Sequence, residues 1–301
     1  MVATPIGNLA DLTLRAIHLL AGVDAVACED TRVTGQLLRH LGLDKPLLAL
    51  HQHNEASAAQ AVLARLAQGQ RVAYASDAGT PAISDPGALL VAAVAAAGHR
   101  VVPIPGASSA AAALSVAGDA AAQGFVFTGF LPGKGAERRG ALQAAAAAPG
   151  CQVLFEAPHR IAALAAGLAE LAPARRVTLC RELTKQFETV ATLPAAELPA
   201  WLAADAHRSR GEFVLVLHAL PAAPADGDAL DAAAERLLAA LVPVLPLKPA
   251  VALVAELTGA PRNALYQRAL ALRDEAGRDD AADHPAYDPS DDPADGSAAP
   301  A

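Results

Sequence analysis

Short apolar segments alternate with helical ones through the first half of the chain. The apolar segments are predicted to form buried strands at Ala25–Cys28, Leu47–Leu50, Val72–Ala75 and Val101–Ile104. The segments between them are predicted to form helices at Leu12–Leu20, Thr34–Leu41, Ser57–Gln68 and Ala88–Ala97. Such alternation is typical of βαβ units, so it predicts a mainly parallel sheet with helices packed on it.

The second half repeats this alternation after a glycine-containing link near Gly118–Gly124. Strands are predicted at Phe125–Thr128, Val153–Phe155, Val177–Arg181 and Phe213–His218, and helices at Glu137–Ala147 and Ile161–Leu171. The chain has 301 residues, of which 53% are hydrophobic, and this suffices for two α/β domains. We expect the domains to span residues 1–117 and 118–220, with a cleft between them.

A third region of short helices follows a small Pro-containing linker. Helices are predicted at Leu230–Leu241, Pro249–Leu257 and Asn263–Leu272, and the last two are separated by the glycine-containing turn Thr258–Arg262. Two short helices joined by such a turn are typical of a helix-turn-helix unit, which we assign to residues 229–273. A plain helical cap on the second domain explains the same pattern equally well.

The net charge of −8 is concentrated in the last segment of the chain. Residues 274–301 hold nine of the 31 acidic residues but one of the 23 basic ones, so the rest of the chain is neutral. This acidic, Pro-rich tail has little apolar bulk and is predicted to be disordered. A nucleic-acid partner is therefore compatible with the body of the protein, but local basic patches must contact it.

Three dispersed cysteines, Cys28, Cys151 and Cys180, fit a reduced, cytoplasmic protein without a disulfide framework. No apolar run is long enough to predict a membrane span, and the first residues lack the features of a signal peptide. His51 and His53 could ligate a metal ion, but no further ligands occur at matching spacing. We therefore predict no metal site.

Polar loops follow the predicted strands, at the edge where open α/β sheets bind ligands. In the first half these loops are Thr4–Leu9, Glu29–Arg32, Ser76–Gly87 and Pro105–Ser109. The glycines, prolines and hydroxyl residues of Ser76–Gly87 suit a rigid loop whose backbone approaches a ligand closely. Its two aspartates could meet ribose hydroxyls or a sulfonium cation. Two consecutive turns with side-chain caps are an equally good explanation.

Two familiar nucleotide motifs are excluded. The segment Gly129–Gly135 resembles a phosphate loop, but its spacing is one residue short and Lys134 is followed by glycine. No G-x-G-x-x-G pattern occurs, which disfavours a nicotinamide dinucleotide.

Two predicted strands of the second half are followed by clusters of charged residues, at Phe155–Arg160 and Arg181–Lys185. These clusters would line a cleft that faces the first domain. Alternatively, they are solvated strand ends without a ligand.

Taken together, these motifs resemble one family, the bacterial ribosomal RNA small subunit methyltransferase I of the tetrapyrrole-methylase superfamily. The resemblance covers about residues 2–272 and rests on Thr4–Leu9, Glu29–Arg32, His53–Glu55, Ser76–Gly87, Pro105–Gly106, Gly129–Pro132 and Arg181–Lys185. It implies two α/β domains of the tetrapyrrole-methylase type with an interdomain cleft, plus a small helical module. It also implies S-adenosylmethionine-dependent 2′-O-methylation of a decoding-centre cytidine in the 16S rRNA of the 30S subunit.

The resemblance also assigns residues to the cofactor. The expected cofactor-binding residues are Pro5, Asp77, Ala78, Gly79, Thr80, Ile83, Ser108, Ser109 and Thr128. Because a ribose hydroxyl is a weak acid, a general base would assist the transfer. The candidates are Asp30, His53 and Glu55, which follow strands of the first domain.

Basic residues of the loops and of the helical module are the expected RNA contacts. They are Arg32, Lys134, Arg160, Arg181, Lys185, Arg262 and Arg268. We also expect a homodimer. Two other functions stay open: a corrin or porphyrin C-methyltransferase of the same superfamily, and a non-catalytic RNA-binding protein. The first loop, Thr4–Leu9, lacks the glycine-rich, acidic character usual in the C-methyltransferases.

Overall fold

The computed structural model describes residues 1–51, 53–221 and 230–282, with side chains described as far as Arg273. The chain divides into two units, Met1–Leu220 and Pro221–Ala301. Both sheets lie in the first unit, and the predicted boundary between residues 117 and 118 falls inside it. That boundary therefore stays a prediction. None of the described helices is long and apolar enough to cross a membrane.

The first sheet is parallel, as the alternating pattern predicts. Its strands are β1 (Ala25–Cys28), β2 (Leu47–Ala49) and β3 (Val72–Ala75), in the order β2-β1-β3. The helices of this half are α1 (Leu14–Gly22), α2 (Thr31–His40), α3 (Glu55–Ala67), α4 (Ala88–Ala96) and α5 (Ser109–Ala117). All four residues of the central strand β1 are buried, because the sheet covers its edges and helices cover its faces.

The fourth predicted strand of this half, Val101–Ile104, is reduced to a single bridge. Val2 pairs in parallel with Ile104 on one side and with Ala75 on the other. The backbone N–H of Ile104 donates to the carbonyl of Met1 at 2.8 Å, and that of Ala3 donates to the carbonyl of Ile104 at 3.2 Å. Only these few residues pair, so no continuous ladder forms along 101–104.

The second sheet has five strands in the order β4-β5-β8-β6-β7. The strands are β4 (Phe125–Phe130), β5 (Cys151–Glu156), β6 (Arg176–Arg181), β7 (Thr189–Pro194) and β8 (Phe213–Leu217). The helices are α6 (Gly135–Ala147), α7 (Ile161–Leu171) and α8 (Leu198–Ala203). Side chains of β8 alternate between two hydrophobic clusters, with Leu215 in the cluster containing α7 and Val214 and Val216 in the cluster containing α5.

The second sheet is mixed rather than mainly parallel, which corrects the prediction. Only β4 and β5 pair in parallel, whereas β8 runs antiparallel to β5 and β6, and β6 runs antiparallel to β7. The short connection from β6 to β7 leaves room for a turn but not for a crossover helix, so the two strands form a hairpin. The sequence analysis missed β7 because its residues Thr189–Pro194 are only partly apolar and end in proline.

The second unit contains three described helices, α9 (Ala232–Leu241), α10 (Leu247–Thr258) and α11 (Arg262–Ala282). They share a small core that includes Leu238, Val254 and Leu265. Gly259 ends α10 in the left-handed conformation, with φ of 72°, and allows the sharp turn into α11. Helix α11 continues past Arg273, so the first part of the predicted disordered tail is helical. Residues 283–301 lie outside the described residues.

Candidate active site

A cavity of about 390 Å³ lies at the strand ends, within the first unit. The first half of the unit lines it with Ile6, Ala78, Gly79, Thr80, Ile83, Ser84, Asp85, Ser108 and Ser109. The second half lines it with Phe130, Phe155, Glu156, Ala157, Pro158, Cys180, Leu183, Glu212, Phe213 and Val214. Six of the predicted cofactor-binding residues thus come together: Ala78, Gly79, Thr80, Ile83, Ser108 and Ser109.

The other three predicted cofactor-binding residues lie elsewhere. Pro5 and Asp77 line a separate groove of about 650 Å³ between the loop Thr4–Leu9 and helix α2, which we call the α2 groove. Thr128 is exposed on β4, and its hydroxyl donates to Oε1 of Gln152 at 3.3 Å. Pro5 and Asp77 line the groove while their neighbours Ile6 and Ala78 line the cavity, because consecutive residues of an extended segment point to opposite sides.

A wall one chain thick separates the cavity from the α2 groove. The backbone N–H of Thr4 donates to the carbonyl of Gly79 at 2.9 Å, and the N–H of Gly79 donates back at 3.0 Å. A Cβ atom at Gly79 would lie 3.3 Å from the side chain of Ile6, and its φ of 81° favours glycine. The backbone can therefore approach a ligand here without an intervening side chain.

The loop after β3 is held in a strained shape. Ala82 and Ser84 have φ of 66° and 64°, a left-handed conformation that side-chain-bearing residues adopt at a cost of roughly 1–3 kcal/mol each. The hydroxyl of Thr80 donates to the carbonyl of Ala107 at 3.0 Å, which ties this loop to the segment before α5. Such strain persists only where the surroundings fix the backbone, and it is concentrated at ligand sites.

Glu55, one of the candidate bases, anchors the far end of this loop. Its buried carboxylate accepts hydrogen bonds from the backbone N–H groups of Gly87 and Leu89, both at 2.9 Å, and of Leu90 at 3.3 Å. These are the unpaired donors at the start of α4, where a carboxylate is especially favourable. Glu55 therefore has a structural role, and its oxygen is already occupied.

An acidic group faces the cavity from the same loop. Burial raises the pKa of Asp85 to about 6, and the negative charges of Glu29 and Asp77 add to this rise, while the Ser76 hydroxyl opposes it. Burial also raises the pKa of Glu29, with a further contribution from Asp77. No ion pair involves Glu29, Asp77 or Asp85 among the described residues. Asp85, the member of this set that lines the cavity, therefore makes the cavity suited to a cationic ligand, whereas Asp77 lines the α2 groove.

Asp30, another of the candidate bases, is poorly suited to that role. The Arg32 side chain binds its carboxylate, with Nη2 2.5 Å from Oδ2, and lowers its pKa to about 2. The same carboxylate accepts the backbone N–H of Arg32 at 2.8 Å and so caps the start of α2. A carboxylate that holds its charge so firmly takes up a proton only weakly at neutral pH.

His53 is the remaining candidate base. It is exposed in the turn before α3, and its ring lies 6.1 Å from that of His51 in an edge-on arrangement. Within the described part of the chain, no cluster of three or more His, Cys, Asp or Glu side chains could hold a metal ion. The assignment of His53 stays a prediction.

The predicted RNA contacts of the second half are largely engaged in internal pairs. Arg160 and Arg138 lie 2.8 and 2.6 Å from the buried carboxylate of Glu156. Lys185 lies 2.9 Å from both Glu182 and Glu212.

Arg181 is similarly engaged, because its guanidinium donates to the carbonyls of Phe187 at 2.9 Å and Arg210 at 3.2 Å. Lys134 lies immediately before α6 and is exposed to solvent, unlike the three engaged residues. These contacts make Arg160, Arg181 and Lys185 primarily structural, and they leave Lys134 as the accessible cation of this set.

In the second unit, the two predicted RNA contacts are not equivalent. Arg268 on α11 donates from Nε to the carboxylate of Glu235 on α9, at 3.1 Å. Arg262 is exposed at the first residue of α11, and Lys248 is exposed on α10. Arg268 therefore helps to hold the helices together, whereas Arg262 is accessible to a partner.

The sequence analysis missed several residues of the cavity wall. Asp85 is predicted only as one of two loop aspartates that could meet a ligand. Phe130 is interpreted only as part of the segment Gly129–Gly135, and Phe155 only as a strand residue beside a charged cluster. The two rings pack edge to face, with centroids 5.5 Å apart. A usable signal was their position, since each is at or next to the last residue of a strand whose end faces the ligand edge.

Comparisons with known proteins agree with this architecture. Residues 1–199 match the family model of tetrapyrrole (corrin/porphyrin) methylases, and residues 228–273 match the model of the RsmI C-terminal HTH domain. Uroporphyrin III C-methyltransferase from Thermus thermophilus has the same fold, with a TM-score of 0.51 and 19% identity, covering 72% of this chain and 95% of its own. The fold and the cavity thus define a methyltransferase of the tetrapyrrole-methylase class.

Closer relatives narrow the class. Ribosomal RNA small subunit methyltransferase I of Escherichia coli O157:H7 is 48% identical over 271 residues, covering 90% of this chain and 93% of the relative. The Pseudomonas aeruginosa protein of the same name is also 48% identical over 271 residues, covering 90% and 95%. The chain belongs to the ribosomal RNA small subunit methyltransferase I family. The predicted fold class and family are confirmed.

Proposed function

We propose that the cavity binds S-adenosylmethionine. Its volume of about 390 Å³ lies within the usual range for small-molecule sites. The loop Ala78–Thr80 offers close-approaching backbone, and Ser108 and Ser109 offer hydroxyl groups to the amino-acid end of the cofactor. Asp85 offers a carboxylate to its positive charges. The observation that carries the proposal is this acidic lining, to which the described residues contribute no lysine or arginine.

We further propose that the acceptor is the ribose 2′-hydroxyl of a decoding-centre cytidine in 16S rRNA. The cytidine and the 2′ position rest on the family resemblance. When bound, S-adenosylmethionine supplies an electrophilic methyl group. The protein's main task is to align the hydroxyl with it, and alignment can supply several kcal/mol of the barrier reduction. His53 is the proposed acceptor of the hydroxyl proton, since Asp30 and Glu55 are engaged otherwise.

The exposed cations are the proposed contacts to the 30S subunit. Lys134 in the first unit and Arg262 and Lys248 in the second have accessible side chains that can meet phosphates. A homodimer is also part of the proposal. It is supported by the edge strand β4, where Phe125 and Val126 are each 56% exposed. An enzyme acting on ribosomal RNA would work in the cytoplasm.

Methyl-group transfer to competing acceptors tests the proposal. Purified protein with labelled S-adenosylmethionine should label the 16S rRNA of 30S subunits isolated from a strain without the gene. It should not label uroporphyrinogen III. Label in the porphyrinogen alone would favour the C-methyltransferase alternative. A protein that binds 30S subunits but shows no cofactor binding by calorimetry would instead be a non-catalytic RNA-binding protein.

A further inference from the structure

The α2 groove lies directly beside the proposed cofactor cavity. Ile6 and Ala78 face the cavity, whereas Pro5, Gly7 and Asp77 face the groove. The two spaces are thus separated only by the wall in which Thr4 pairs with Gly79. A polymeric substrate whose reacting nucleotide enters the cavity must continue along an adjacent surface, and the groove is one of the surfaces available to it.

One face of α2 forms the outer side of the groove. Val33, Gln36 and His40 follow one another at helical spacing, with Arg39 beside them, and all four are exposed. Across the groove, Leu9 is 49% exposed. This face therefore combines a permanent positive charge, an amide and apolar surface, which are the groups that contact phosphates, base edges and sugars of RNA.

Arg39 differs from several arginines of the first unit because no carboxylate of the described residues pairs with it. Arg32, Arg138 and Arg160 each pair with an aspartate or glutamate, whereas Arg39 and His40 take part in no ion pair within the described residues. The guanidinium of Arg39 lies back over Gly35, where a Cβ atom would be 3.4 Å from Nη1. An arginine keeps its charge at every physiological pH, so the exposed face of α2 favours an anionic partner, while Asp77 contributes the negative charge of this groove.

We propose that the α2 groove binds the RNA strand next to the methylated nucleotide, with Arg39 on a phosphate and Gln36 on a ribose or base edge. Arg39, which is unpaired among the described residues, and the position of the groove directly beside the cavity favour RNA over a second protein chain, although the groove is also lined by Asp77. This inference rests on the proposed function and adds a substrate-positioning surface to it. None of the basic residues predicted from the sequence to contact RNA lies in this groove.

The test compares two double variants that remove the same pair of side-chain types. Arg39→Ala plus His40→Ala removes the groove's cations. His99→Ala plus Arg100→Ala removes a histidine and an arginine that line a different cavity, beside Met1 and Val72, and that have no ion pair in the described structure. Steady-state methylation of 30S subunits, binding of S-adenosylmethionine and salt-dependent binding to 16S rRNA are measured for both.

For the groove variant, we expect KM for 30S subunits to rise on the order of tenfold, with kcat and cofactor affinity unchanged. The slope of log affinity against log salt should fall by about 0.7 to 0.9 for each phosphate that the variant no longer binds. The control variant should match the wild type, and Arg39→Lys should restore much of the RNA affinity because it keeps the charge. Thermal unfolding shows whether each variant folds, and the exposed Gln36→Glu offers a second test by adding a repelling charge.

Three results would overturn the inference. The first is a groove variant with the KM and salt slope of the wild type. The second is an equal rise in KM for 30S subunits in the control variant. The third is a changed oligomeric state of the groove variant with RNA binding intact, which would assign the groove to a second copy of the chain. Failure of the proposed function looks different. In that case the wild type itself would not methylate 30S subunits, while the RNA-binding comparison would still report on the groove.

Discussion

The two halves of the first unit differ in the carboxylates that line or adjoin the cavity. In the first half, Glu29 and Asp85 have raised pKa values and no ion-pair partner among the described residues. In the second half, Glu156 is held by two arginines, and Lys185 bridges Glu182 and Glu212. The second half thus pairs Glu156 and Glu212, which line the cavity, whereas Asp85 of the first half lines it without an ion-pair partner in the described part of the chain. Elsewhere in the first half, Asp24 and Asp30 pair with arginines.

This difference suggests a division of labour between the halves. A partly buried carboxylate without a cation is unfavourable in the empty protein, and a cationic ligand relieves that cost. The internally paired second half can shape a cavity wall without competing for the same ligand. We therefore infer that the first half provides the electrostatic recognition of the cofactor, while the second half closes the cavity with Phe130 and Phe155.

The largest effect is expected at Asp85. Asp85→Asn should weaken binding of S-adenosylmethionine up to about 100-fold, because a charge-assisted contact is worth about 1.5–3 kcal/mol. Asp44→Asn is the matched control, since Asp44 is exposed and lines neither the cavity nor the α2 groove. Calorimetric titration measures both. An equal loss in the two variants would contradict the assignment of the cavity.

Next in size is an effect on stability at Glu55. Glu55→Ala should lower the free energy of unfolding by about 2 kcal/mol, because three backbone donors at the start of α4 lose their acceptor. Glu137→Ala, at an exposed residue in the first turn of α6, is the control and should change it little. Denaturant unfolding is the measurement. Full stability with abolished turnover would restore Glu55 as a base.

Cofactor affinity should depend on pH through Asp85. Its pKa of about 6 belongs to the empty protein, and a cationic ligand binds the ionised form. Affinity is therefore full above pH 7 and falls as the pH drops below about 6, by about tenfold between pH 7.5 and 5. Calorimetry across this range is the measurement, and the dependence should disappear in Asp85→Asn. A dependence that survives in that variant would assign the titration to another group.

The smallest effect is expected where the second half pairs its own charges. Lys185→Met should change the free energy of unfolding by less than about 1 kcal/mol, because Lys185 is partly exposed and solvent screens its pairs with Glu182 and Glu212. Binding of S-adenosylmethionine should stay within about twofold of the wild type. A strong loss of cofactor affinity in Lys185→Met would contradict the proposal that the paired charges of the second half take no part in cofactor recognition.

The sequence predicted the first half better than the second. Strands such as Ala25–Cys28 are short, apolar and separated by helices, so their period and their parallel pairing follow from local pattern. The mixed order of the second sheet depends on long-range pairing of β8 between β5 and β6, which no local pattern encodes. The strand β7 was missed because its residues are only partly apolar and end in proline, which makes its local pattern weak.

The candidate site could be predicted as loops but not as individual contacts. The loop Ser76–Gly87 was singled out by its glycine, proline and hydroxyl residues. Its residues Ala78, Gly79, Thr80 and Ile83 line the cavity, while their binding of the cofactor stays a prediction. Which aspartate faces the cavity depends on the path of the backbone through Ala82 and Ser84, whose left-handed conformations nothing in their residue types indicates. Likewise, the partners of Asp30 and Glu55 appear only in three dimensions.

The position of the transferred methyl group tests the account most directly. The protein is incubated with 30S subunits from a strain lacking the gene and with methyl-labelled S-adenosylmethionine, and the 16S rRNA is digested to nucleosides for mass spectrometry. The account predicts that the label appears in 2′-O-methylcytidine and that Asp85→Asn abolishes it at limiting cofactor. A label on a base atom, or no label in 16S rRNA, would contradict it.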